Sequence, residues 1–127
     1  MDIQKTVLIV EDDQIIVKMY TRKFESEGLK VLSAADGQSG LKLLQEASPK
    51  PNMILLDVML PRLNGFQILE QIKQNPIFKD IPVILLTNLG GSTEDREKGK
   101  TLGAIDYLVK ADLTPAQVIE KVKANIK

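Results

Sequence analysis

Five times along this chain a short, mostly apolar run is followed by a longer stretch with helical spacing. That alternation limits the fold more than any other feature. The runs are Val7–Val10, Lys30–Ala34, Met53–Leu56, Val83–Leu86 and Tyr107–Val109, rich in Val, Ile and Leu. Such short, continuous runs suit strands covered on both faces, as in a parallel sheet. The second run is the least apolar, which predicts an edge position.

The stretches between them read as helices. Gln14–Glu27 sets Ile16, Met19, Tyr20 and Phe24 on one face, and Gly28 follows as a stop. Asp36 can cap a second helix carrying Leu41 and Leu44, which ends near Ser48-Pro49. Phe66, Leu69 and Ile72 line a third, ending before Pro76. Ser92–Leu102 is a fourth, closed by Gly103. Thr114-Pro115-Ala116-Gln117 opens a fifth, with Thr as cap, Pro at the first helical position and Gln completing a capping box. Its inner stripe is Val118, Val122 and Ile126. Five βα units joined by right-handed crossovers give a parallel sheet with helices on both sides. The predicted architecture is a doubly wound α/β fold with strand order 2-1-3-4-5. A length of 127 residues suits one domain, so a single domain over residues 1–127 is expected, with no output domain.

Composition removes several chemistries. The chain has no cysteine, which excludes disulfides, thiolate catalysis and Cys-based metal sites. It has no histidine, which excludes Ser-His-Asp triads, imidazole bases and His-ligated zinc. Lys+Arg and Asp+Glu both number 17, which argues against bulk electrostatic binding to nucleic acid or anionic membrane. No apolar stretch is long enough to span a bilayer, and the first residues do not read as a signal peptide. The expected location is cytoplasmic.

The reactive residues stand at the ends of the apolar runs. The first run ends in Glu11-Asp12-Asp13, the third in Asp57, the fourth in Thr87 and the fifth in Lys110. In a parallel sheet all carboxyl ends lie along one edge, where open α/β folds bind ligands. Glu11, Asp12, Asp57, Thr87 and Lys110 should therefore converge. An acid at one strand end is often only a helix cap; four strand ends carrying acid, acid, hydroxyl and base are harder to dismiss. Clustered carboxylates repel unless a cation lies among them. An all-oxygen set suits Mg²⁺ or Mn²⁺ with phosphate oxygens. Lys110 and Thr87 then complete a cradle for a phosphoryl group, with an aspartate as nucleophile. Spacing alone does not choose between Asp57 and Asp12 for that role.

At these residues the sequence resembles the response-regulator receiver family of two-component signalling. The matching segments are Val7-Leu8-Ile9-Val10-Glu11-Asp12-Asp13, Ile54-Leu55-Leu56-Asp57-Val58-Met59-Leu60-Pro61 with Asn64-Gly65, Pro82-Val83-Ile84-Leu85-Leu86-Thr87, and Gly103-Ala104-Ile105-Asp106-Tyr107-Leu108-Val109-Lys110. The resemblance covers essentially the whole chain and implies a flavodoxin-like (βα)5 fold. It implies that Asp57 is the phosphoacceptor. It further implies a Mg²⁺ or Mn²⁺ site from Asp12, Asp57, Glu11 through water and the Met59 backbone carbonyl. Lys110 and Thr87 would bind the phosphoryl oxygens, Thr87 and Tyr107 would form a switch, and Asp13 would flank the site. The implied partners are a sensor histidine kinase or histidine phosphotransfer protein and a downstream protein, without direct nucleic acid or membrane binding. The chain would not be an enzyme in the ordinary sense, although it would promote its own phosphorylation and dephosphorylation.

Two positions depart from the family pattern. Ala111 stands where Pro usually follows the lysine, so the loop carrying Lys110 is expected to take another path. Asn88 stands where a small residue usually follows the threonine, which is expected to narrow access to Asp57. The predicted moving parts are the segment 88–91, with two glycines, and the polar fourth helix, with its run from Glu94 to Lys100. Together they would relay the change to the face formed by the fourth and fifth strands and helices. The main alternative is an interaction module of the same fold that works without phosphorylation. An Asp-nucleophile phosphatase is disfavoured because Met59 stands where its second acid is needed. A nucleotide-binding protein is disfavoured because no P-loop or Gly-x-Gly-x-x-Gly pattern is present.

Overall fold

The structure is a computed structural model and describes residues 4–88 and 92–126. Five strands form one parallel sheet: β1 (Thr6–Val10), β2 (Lys30–Ala34), β3 (Met53–Leu56), β4 (Val83–Thr87) and β5 (Asp106–Val109). Their order is β2-β1-β3-β4-β5, as the alternation predicts. Strands β3 and β4 are buried along their whole length, whereas β2 lies at an edge and is only partly covered.

The helices are α1 (Gln14–Ser26), α2 (Gly37–Glu46), α3 (Gly65–Gln74), α4 (Thr93–Thr101) and α5 (Pro115–Asn125). Side chains cap each start: Asp13, Asp36, Asn64, Ser92 and Thr114 accept hydrogen bonds from the first-turn amides. The predicted Thr114/Gln117 capping box is present, and Asn64/Gln67 form a second one. Gly28 and Gly103 follow α1 and α4 with positive φ, the conformation that ends a helix at least cost for glycine. One face differs from expectation. Val17, Tyr20 and Phe24 form the buried side of α1, while Met19 is 36% exposed. Helical spacing alone allowed either residue to lead the stripe.

The sheet divides two apolar cores. One joins Leu8, Ile54, Leu56, Leu85, Tyr107 and Val109 to α3 through Phe66, Leu69 and Ile72. The other joins Val7, Ile9, Leu55, Leu86 and Leu108 to α1 and α5 through Phe24, Val118 and Val122. Alternation along each strand sends neighbouring residues to opposite cores. No helix among the described residues is long and apolar enough to cross a membrane.

Candidate functional site

The ladder between β1 and β3 sets the geometry of the carboxyl edge. It continues one residue past the strands, because Asp57 N donates to Val10 O at 3.0 Å. That bond seats Asp57 beside Glu11. Asp57 is itself buried, at 6% exposed. Its Oδ1 accepts from Met59 N at 3.0 Å, and Lys110 Nζ approaches its Oδ2 at 3.3 Å. The loop that follows turns sharply so that Gly65 N can donate to Val58 O at 2.8 Å. A Cβ on Gly65 would lie 2.3 Å from the Asp57 carbonyl oxygen, so only glycine permits this approach. The loop carrying the aspartate and the start of α3 are thereby locked together.

Glu11 and Asp12 come from the end of β1. Glu11 is buried, at 4% exposed; its Oε1 pairs with Lys110 Nζ and its Oε2 accepts from Asp13 N at 3.2 Å. Asp12 is exposed. One carboxylate oxygen from each of Glu11, Asp12 and Asp57 lies within 4.8 Å of the others. Asp13 turns away from this group and caps α1, accepting from Ile15 N at 3.0 Å. The structure therefore separates two adjacent aspartates that sequence alone leaves interchangeable.

Lys110 reaches the carboxylates from a 3₁₀ turn, Lys110–Asp112. Among the described residues the one cis peptide bond is Ser48–Pro49, so the Lys110–Ala111 bond is trans. With Ala111 in place of the usual proline, the ammonium bridges Glu11 and Asp57. Asn88 is exposed. Leu89, Gly90 and Gly91, which carry most of the expected loop freedom, lie outside the described residues.

The electrostatics follow from this crowding. Burial works against the charge on Lys110, but the hydrogen bond it donates to Glu11 and the field of Asp57 outweigh it and raise the pKa. The hydrogen bond to Glu11, with some desolvation, raises the pKa of Asp12 above the usual carboxylate value. Loading the edge with negative charge is thus unfavourable until a cation is added. Three carboxylates within one small sphere, all offering oxygen, fit a hard divalent ion.

Thr87 ends β4 and is fully buried. Tyr107 pairs with Leu85 across the β4–β5 ladder, on the same face of the sheet as Thr87. Tyr107 is buried, and its hydroxyl has no hydrogen-bond partner among the described residues. Burial, followed by the field of Asp95, raises its pKa. The sequence did not reveal that Arg96 holds this ring. Its guanidinium lies 5.4 Å from the ring centre, and Nη1 donates to Tyr107 O at 3.0 Å. Arg96 sits in a run of charged residues with no pattern marking it out. A recess of about 590 Å³ adjoins the carboxylates, with Asp12, Met59, Pro61, Asn64, Phe66 and Lys98 on its walls. The expected site residues Glu11, Asp12, Asp57 and Lys110 thus meet directly. Met59 meets them through its N–H to Asp57, and Thr87 and Tyr107 occupy the adjoining strands.

Comparison with known proteins adds an independent line. The Escherichia coli (strain K12) phosphate regulon transcriptional regulatory protein PhoB is 37% identical over 123 residues, covering 97% of this chain. The chain spans about half the length of the curated relatives it matches, 52% in that case. The Vibrio cholerae chemotaxis protein CheY4 superposes with a TM-score of 0.88 at 28% identity, covering 98% of this chain and 100% of that one. The phosphorylated cyanobacterial phytochrome response regulator RcpA gives a TM-score of 0.81 at 26% identity, covering 96% of this chain and 91% of that one. The family model for the response regulator receiver domain matches residues 7–123. With that match, the 2-1-3-4-5 sheet and the acidic carboxyl edge, the chain belongs to the response regulator receiver domain family of two-component signalling.

Proposed function

We propose that Asp57 accepts a phosphoryl group in a divalent-cation-dependent reaction, and that the resulting change at Thr87 and Tyr107 controls binding of a partner protein. The observation that carries this reading is the meeting of three carboxylates within 4.8 Å, with Lys110 bridging Glu11 and Asp57. Mg²⁺ or Mn²⁺ would be held by Asp12, Asp57, the Met59 backbone carbonyl and, through water, Glu11. The bound ion supplies positive charge that neutralises phosphoryl oxygens.

The chain's own residues do the rest. The N–H of Met59 holds the Asp57 carboxylate in one orientation, which favours in-line attack. An Asp57 oxygen bonds to phosphorus as the bond from phosphorus to the donor's imidazole nitrogen breaks. The electron pair leaves with the imidazole. The sequence contains no histidine, so the donor imidazole would come from elsewhere, from a histidine kinase or phosphotransfer protein. Lys110 pairs with one phosphoryl oxygen and the Thr87 hydroxyl donates to another. Drawing Thr87 toward phosphorus alters the space beside Tyr107, and α4 lies against that ring through Gly99 and Arg96. The face built from β4, α4, β5 and α5 is the surface so modified.

Intact-mass analysis after incubation with acetyl phosphate and Mg²⁺ tests the chemistry. One phosphoryl adduct is expected on the wild type and none on Asp57→Asn or in excess chelator. An unlabelled wild type would leave the phosphorylation-independent module as the better reading.

A further inference from the structure

We infer that the groove between α3 and α4 is a docking site for a basic amphipathic helix of a partner protein. The groove has a volume of about 530 Å³. It exists because α4 buries only Gly99. With no large apolar side chain of α4 buried there, it is the Lys98 side chain that reaches across the interval toward α3.

The lining chemistry selects the occupant. Phe66 and the half-buried Leu102 supply apolar surface. Glu70 on α3 and Glu94 and Glu97 on α4 set three carboxylates around it, against one cation, Lys98. That cation is turned inward, its Nζ lying 4.6 Å from the Phe66 ring centre. Glu94 and Glu97 are exposed and have no ion pair among the described residues. The chain as a whole is neutral, so this excess of negative charge is local. Residues three apart on a helix stand about one turn from each other, so Glu94 and Glu97 match Lys or Arg at a similar spacing on a second helix. An apolar residue of that helix would seat against Phe66 and Leu102, the usual arrangement of a helix in a groove. Anionic membranes and nucleic acid would be repelled by the same carboxylates. The groove also shares Asn64, Phe66 and Lys98 with the recess beside Asp12. A helix lying in it would therefore rest one side chain away from the carboxylate edge.

The test uses the unphosphorylated full chain, so its outcome is separate from that of the phosphoacceptor assay. A synthetic sixteen-residue peptide of Lys and Leu, spaced for an amphipathic helix, is titrated into ¹⁵N-labelled protein. A scrambled peptide of the same composition is the control. Expected are amide shifts confined to residues 64–70 and 93–102, and affinity weakened about fivefold or more by the double variant E94Q/E97Q. Both positions are exposed, so the variant should retain the wild-type spectrum elsewhere. Shifts centred on β5 and α5, equal affinity for wild type and double variant, or equal affinity for the scrambled peptide would each overturn the assignment.

Discussion

Helices α3 and α4 are neighbours of nearly equal length, one following the strand that leads into Asp57 and the other the strand that ends in Thr87, yet they are held in opposite ways. Helix α3 buries Gly65, Phe66, Ile68, Leu69 and Ile72, and its Lys73 ammonium donates to the carbonyls of Lys79 and Ile81. Helix α4 buries Gly99 alone and is otherwise held by a cap and by Arg96 and Lys98 resting on aromatic rings. The first helix fixes the loop that carries Asp57. The second rests on the sheet with little apolar attachment. Local stability follows buried contact, so α3 is the firmly attached helix and α4 the loosely attached one, as the proposed switch requires.

The largest expected effect probes the rigid side of that contrast. Leu69→Ala removes a fully buried side chain and should lower unfolding free energy by about 2–5 kcal/mol. Glu97→Ala on the exposed face of α4 should stay within about 0.5 kcal/mol. Urea denaturation of both would break the contrast if the two losses were alike.

The buried glycines of α3 and α4 give a closer test. At Gly65 a Cβ would meet backbone at 2.3 Å, and backbone cannot move aside without shifting Asp57. Gly65→Ala should therefore lose about 2 kcal/mol or more and weaken Mg²⁺ binding, read by urea melts and metal titration. At Gly99 the obstacle is the tip of the Leu85 side chain, at 2.8 Å. Relief there costs packing, while alanine gains about 1 kcal/mol of helix propensity. Gly99→Ala should end within about 1 kcal/mol of wild type.

A third change acts on the edge to which both helices are tied. Two like charges about 5 Å apart in a water-like medium repel by about 1 kcal/mol. Asp12 belongs to a group whose oxygens lie within 4.8 Å, and it is exposed, so the water-like figure applies. Asp12→Asn should raise the stability of metal-free protein by up to about 1 kcal/mol and remove stabilisation by added Mg²⁺. A thermal melt with and without the ion measures both, and unchanged Mg²⁺ stabilisation would exclude Asp12 as a ligand.

The smallest effect is one of pH. Lys110 has a higher pKa folded than unfolded, so its ion pairs stabilise fully below the ordinary lysine value of 10.5 and lose that contribution as pH rises through the raised value. Lys110→Arg keeps its charge at those pH values. Melting temperature should fall above about pH 10 in the wild type and less steeply in the variant. Parallel curves would show that Lys110 does not govern the alkaline limb.

Strands were the most legible part of the molecule in its sequence. A continuous apolar run such as Ile54–Leu56 has few alternatives once it is bounded by turns, and the five runs became the five strands within a residue or so. The carboxyl-edge site was legible for the same reason, because parallel topology sends strand ends to one side whatever the helices do. Faces of helices were less so: Met19 and Val17 both satisfy a helical period, and only packing against β-strand residues chooses Val17. The cations on aromatic rings were not legible at all. Arg96 over Tyr107 and Lys98 over Phe66 join residues on different elements, and each looks in sequence like one more charge on a solvated helix.

The division of the interior by the sheet has a consequence for recognition. Thr87, Tyr107 and Val109 face the α3–α4 side, while Leu86 and Leu108 face α1 and α5. Under the proposed switch, a protein that grips α1 would touch a surface insulated from Thr87 by a full layer of backbone, and would pair with this chain without sensing its condition. Under the same proposal, a protein that grips α4 would sense that condition first. On that reading, pairing and readout would be tuned by separate sets of mutations, one on each side of the wall.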